Sequence, residues 1–175
     1  MTGSRIRLIR SNEGVDAPAR KRPLGRLLVE RGLINTSDVL VTLGHQRVND
    51  AQLGHLLIAQ GLIQEADLFE TLALQNAIPF VCEESTPPDL ALQKGLEPHK
   101  FLRLGCVPWC KRGGITLIAT SSPEHFEQTR AQIPAHLHPI EQAIAPASQI
   151  TEAIRAYGDA QLAARAEVLV PEHLS

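Results

Sequence analysis

Aromatic side chains are scarce in this sequence: one Trp, one Tyr and four Phe among 175 residues. A core must therefore be built from leucine, isoleucine, valine and alanine. Cysteine is almost as rare. Cys82, Cys106 and Cys110 are odd in number and contain no CxxC pair, which argues against a disulfide scaffold or a zinc ribbon and for free thiols in a reducing cytoplasm. A charge excess is missing too: the formal net charge is −2, without the basic footprint of a DNA- or RNA-binding protein. No apolar run has the length of a membrane span, and no h-region follows the basic N-terminus, so neither a transmembrane helix nor a signal peptide is expected. The four lysines, Lys21, Lys94, Lys100 and Lys111, stand in no GxxxxGK[ST] phosphate loop, so these residues are not expected to hydrolyse ATP.

What the sequence does have is a unit written twice. Residues 23–46 (PLGRLLVERGLINTSDVLVTLGHQ) align without a gap on residues 52–75 (QLGHLLIAQGLIQEADLFETLALQ), with five residues between. Eleven of 24 positions are identical, among them Gly25/Gly54, Gly32/Gly61, Asp38/Asp67, Thr42/Thr71 and Gln46/Gln75. A period of 29 residues is that of a supersecondary unit. In each copy, leucines at i, i+3 and i+4 (Leu24, Leu27, Leu28) predict a helix. Gly32 or Gly61 ends it, two apolar residues step across, and a second helix follows, with Asn35, Thr36 and Ser37 offering N-caps in the first copy. Two hairpins make a four-helix subdomain rather than a solenoid.

Three repeated features suggest more than packing. Gly25 and Gly54 are placed at expected helix starts, where a missing Cβ would let a ligand reach backbone N–H groups. Gln46 and Gln75 close each copy at the same offset. Two similar half-sites would also suit a ligand that is itself twofold symmetric.

The pattern RLGxxLVxxGLIxxxxLxxxLxxQ, twice with five residues between, resembles the MshEN-type cyclic-di-GMP-binding domain. That domain is the N-terminal part of type II secretion and type IV pilus assembly ATPases and is also attached to some bacterial glycosyltransferases. The resemblance implies a non-catalytic regulatory domain of a longer protein. It implies one half-site from Leu24, Gly25, Leu28, Val39, Leu43 and Gln46 and another from Leu53, Gly54, Leu57, Leu68, Leu72 and Gln75. Family motifs begin with arginine, where this chain has Pro23 and Gln52. Arg22 and Arg26 flank the first position and could replace its charge; His55 is the nearest substitute in the second copy. The alternative is a degenerate motif kept as a docking module for a membrane-anchored secretion partner. In either case no cofactor is implied, the expected partner in cis is a host ATPase or glycosyltransferase, and the expected location is cytoplasmic.

The remainder reads as a small α+β layer. Residues 1–22, with six basic against two acidic side chains, form a basic flexible tail, and residues 23–82 hold the helical repeat. Residues 83–88 (EESTPP) are a joint. Residues 89–158 follow the order β-β-α-β-α, predicting a mainly antiparallel sheet with helices on one face. Within it, 90–96 and 98–104 read as short helices, 106–111 and 115–120 as a hairpin, and Pro108 as an edge or bulge residue. Ser122–Pro123 starts a helix, 136–144 is a strand, and Ser148 caps a last helix stopped by Gly158. This half is similar to the second half of the same family domain, extending the resemblance to residues 23–158. Residues 159–175 read as a helical linker to a host domain. Trp109 reads as a packing anchor. His136 and His138 read as surface or half-buried side chains rather than zinc ligands.

Overall fold

The leucine spacing of the repeat is realised as four helices: α1 (Leu24–Glu30), α2 (Thr36–Leu43), α3 (Asp50–Ala59) and α4 (Glu65–Asn76). The structure, a computed structural model, describes residues 22–44 and 50–169, without the side chains of 50–52 and 166–169. The basic tail up to Lys21 and the end of the chain beyond Leu169 lie outside the described residues. Gly32 and Gly61 both adopt φ +70°, the left-handed conformation that closes a helix without a Cβ penalty. Asn35 and Asp38 form a reciprocal capping box at the start of α2. In the second copy the Asp67 carboxylate accepts from the Gln64 N–H at 3.2 Å. The duplicated aspartates are thus capping residues.

Leu24, Leu28, Leu53 and Leu57 are buried at the centre of the bundle with Ile34, Ile63, Leu68 and Phe69. Each such side chain removed from water contributes about 1.5–3 kcal/mol, so this small bundle stands mainly on its duplicated leucines. One expectation needs correcting here. Gly54 is the fifth residue of α3, not its first, because the helix extends back to Asp50. Gln52 continues that helix, whereas Pro23 sits just before α1 as its N-cap.

The second half is built on a three-stranded sheet in the order β1 (Cys106–Arg112), β2 (Ile115–Thr120), β3 (Ile140–Ile144). The α+β class is as expected, but only the β1–β2 pair is antiparallel; β3 runs parallel to β2. The crossover between them carries α6 (Phe126–Arg130) and two 3₁₀ turns, long enough for the chain to return to the same end of the sheet. His136 and His138 lie in that crossover, both exposed, so the strand starts at Ile140 rather than at position 136. Pro108 fits its edge strand through a register shift between Pro108 and Cys110. Trp109, at the bulge, is fully buried and donates its indole N–H to the Thr86 carbonyl at 2.6 Å.

Before the sheet, α5 (Pro98–Leu104) occupies its expected span, while 90–96 is reduced to a 3₁₀ turn at Leu90–Gln93. Ser122 makes no side-chain cap bond, and a 3₁₀ turn at Pro123–His125 precedes α6. The last helix, α7 (Ala147–Leu169), begins one residue before Ser148 and does not stop at Gly158. Tyr157 and Gln161 bridge the glycine: the Tyr157 hydroxyl accepts from Gln161 Nε2 at 2.6 Å and from the Gly95 N–H at 2.9 Å.

The two halves meet along a short seam. Phe80 bridges in parallel to Ile144, the Val81 N–H donates to the Ile144 carbonyl at 2.9 Å, and the Ile144 N–H donates to the Pro79 carbonyl at 2.8 Å. Ile144 is fully buried in the helical core, while Ala143 and Ala145 belong to the core of the sheet. Alternation along one strand thus serves both cores. Glu65, at the start of α4, accepts from the Ser148 N–H at 3.1 Å and from its hydroxyl.

Candidate functional site

The duplicated residues come together as one cluster in which each copy closes on the other. Equivalent positions lie 29 residues apart, so Arg31 corresponds to Gln60 and Thr42 to Thr71. Arg31, just after α1, donates to the Thr71 hydroxyl on α4, and Thr42 on α2 donates to Gln60 Oε1 at 3.1 Å just after α3. The two contacts are related by exchange of the copies, the signature of a pseudo-twofold arrangement.

Within this frame Leu24, Leu28, Leu53, Leu57 and Leu68 are buried, while Val39, Leu43 and Leu72 are half-buried and pack against the same cluster. The latter three give the repeat an apolar edge that still meets solvent. Gly25 and Gly54 are both buried in helix–helix contacts. A Cβ on Gly25 would stand 3.0 Å from Val39 Cγ1 and 3.3 Å from Leu53 Cδ2. A Cβ on Gly54 would stand 2.7 Å and 2.8 Å from the two methyls of Leu68. Val39 and Leu68 are themselves equivalent, so each glycine lets the first helix of its copy press against the second. The repeated glycines thus permit helix–helix contact.

The polar candidates are also engaged. Gln75 Nε2 donates to the Arg22 carbonyl at 2.7 Å, tying the end of the second copy to the residue that enters the first. Its counterpart Gln46 lies outside the described residues, and nothing is described of the Gln52 side chain. Arg22 and Arg26 lie at the exposed start of the first motif, and both reach Glu30: Arg22 Nη1 to Oε2 at 2.9 Å, Arg26 Nε to Oε1 at 2.8 Å. Exposed pairs of this kind are worth well under about 1 kcal/mol, so an anion could take either guanidinium from Glu30 at small cost. His55 is exposed on α3.

Sequence reasoning missed the clasp around Arg31. Its guanidinium also donates to the Asp67 carbonyl at 3.2 Å and pairs with the Glu70 carboxylate, both partners being about one-quarter exposed. The available signal was Thr71, buried and identical in both copies, at a position where a leucine would otherwise pack. Cys106 is buried in the sheet, where desolvation pushes its thiol up from a usual 9.0 to about 12. That makes it inert rather than a nucleophile.

The MshEN domain model matches residues 76–164, half of the chain and all of it beyond the repeat. No curated protein sequence matches. Among solved structures, that of MshE with cdg is similar at 26% identity and a TM-score of 0.55, covering 78% of this chain and 99% of that one. The N-terminal domain of XpsE is similar at 20% identity and a TM-score of 0.52, covering 81% and 97%, and supports the fold alone. The same fold, carried by the same sequence family beyond the repeat, leads to one conclusion: the chain belongs to the MshEN domain family.

Proposed function

We propose that residues 23–75 bind cyclic-di-GMP and that the domain passes this signal to a host protein. The observation that carries the reading is the duplicated unit itself, whose copies exchange equivalent contacts through Arg31–Thr71 and Gln60–Thr42. A twofold-symmetric dinucleotide matches a pseudo-twofold pair of half-sites. The similarity to MshE, solved with cdg, supports the same ligand class. In this reading the half-buried Val39, Leu43 and Leu72 offer apolar contact to the bases, Gln75 and its sequence counterpart Gln46 offer amides, and Arg22 and Arg26 leave Glu30 for the phosphates. Leu24, Leu28, Leu53, Leu57 and Leu68, with Gly25 and Gly54, act as the packed floor. Gln52 occupies the arginine position of the second copy without its charge.

A second reading is favoured by a different observation. Pro23 and Gln52 both lack the guanidinium of the family motif, while Leu40 and Val41 of α2 are 65% and 74% exposed. A docking module for a protein partner would have both features. Calorimetric titration of the 175-residue chain with cyclic-di-GMP, with GTP as control, separates the two. Saturable binding at one ligand per chain, absent with GTP, is the expected result; no heat with either nucleotide would leave the docking reading.

A further inference from the structure

The internal repeat makes the second copy a control for the first, and the two copies hold their second helices very differently. Four of the residues on α4 are buried; on α2 none is. Phe69 on α4 is 5% exposed in the cluster with Phe80, Ile144 and Ala147, while its counterpart Leu40 on α2 is 65% exposed. Glu65 ties α4 to Ser148, while the equivalent Thr36 is exposed. The clasps differ as well. Arg31 holds α4 through the Asp67 carbonyl, the Thr71 hydroxyl and the Glu70 carboxylate, a half-buried, charge-assisted set. In the first copy the corresponding pair is neutral and exposed: Gln60 takes the place of Arg31, and Val41 the place of Glu70.

We propose that α2 is the moving wall of the ligand site and α4 the fixed one, the ligand holding α2 in its docked place against α1 and α3. The holding step rests on the reading of residues 23–75 as a cyclic-di-GMP site. Segments with little buried apolar surface and exposed hydrogen bonds open at low free energy, which describes α2 and not α4. A ligand that touches Val39 and Leu43 only when α2 is docked binds that state better and shifts the chain toward it. The first copy thus becomes the responsive half, while the second is anchored to the sheet through Ile144 and to α7 through Ser148.

Hydrogen exchange read by mass spectrometry on the 175-residue chain, with and without cyclic-di-GMP, tests this. Without ligand, amides of α2 should exchange about tenfold or more faster than those of α4. Saturating ligand should slow α2 and leave α4 unchanged. Equal protection of the two helices in the ligand-free chain, or binding that leaves α2 exchange unaltered, would overturn the proposal. Val41→Glu with Gln60→Arg transplants the clasp of the second copy into the first. That variant should slow α2 exchange by about tenfold without ligand and tighten ligand binding, because more of the chain is already competent. An unchanged α2 in a variant whose α4 remains protected would count against it. Absence of saturable binding would overturn the functional reading and the holding step with it. That outcome stays distinguishable, because the ligand-free contrast between α2 and α4 involves no nucleotide.

Discussion

Gly54 shows how a residue singled out in a sequence can owe its smallness to packing as well. Its repetition at Gly25 is visible in the alignment, but the packing distance to Leu68 is one that no sequence prints. Gly54→Ala should destabilise the chain by about 1–3 kcal/mol, since Leu68, buried among the bundle leucines, must shift to admit the new Cβ. Chemical denaturation checks this; an unchanged midpoint would mean that the helix contact is looser than described. For the same reason glycine variants cannot separate binding from folding in this protein. Cys106 gives a second residue-scale prediction. Burial raises its pKa to about 12 in the folded chain, above the 9.0 usual for an unfolded thiol. The buried thiol therefore contributes its full stability below about pH 9 and loses it as pH rises toward 12. The stability difference between the wild type and Cys106→Ala should shrink across that window, and alkylation of Cys106 at pH 8 should proceed at the rate of unfolding.

Among the elements, those whose ends are set by local chemistry were legible. The paired glycines Gly32 and Gly61, the proline that opens α5 and the hairpin turn at Gly113–Gly114 all act within a few residues of themselves. The elements misjudged were those decided by distant partners. Nothing near Gly158 announces that Tyr157 is held by Gly95 and Gln161, which carries α7 through the glycine. A Cβ there would meet Pro98 at 3.8 Å, ordinary contact. Gly158→Ala should therefore stabilise the chain by about 0.5–1 kcal/mol through helix propensity alone; a loss of thermal stability would show strain that the helix does not display. The parallel direction of β3 was hidden for a similar reason. Strand propensity fixes neither partner nor direction, and the crossover that reverses the chain consists of short 3₁₀ turns and one helix of five residues.

At the scale of the molecule, the repeat predicted two hairpins, and the reciprocal clasps of Arg31 and Gln60 place them face to face. The seam at Phe80 and Ile144 fastens the second hairpin to the sheet, while no residue of α2 is buried. What the sequence could not convey was this asymmetry, because it arises from what covers Phe69 and fails to cover Leu40. We propose that the ligand sits on the repeat, its phosphates met by Arg22 and Arg26 beside the first position of the first motif. Parallel calorimetric titrations of the wild type and of Pro23→Arg with Gln52→Arg test it most directly. Each restored guanidinium adds a charge-assisted contact worth about 1.5–3 kcal/mol, so the double variant should bind cyclic-di-GMP at least tenfold more tightly at the same one-to-one stoichiometry. Wild-type binding that the two arginines leave unchanged, or no binding by either chain, would contradict a cyclic-di-GMP site on residues 23–75.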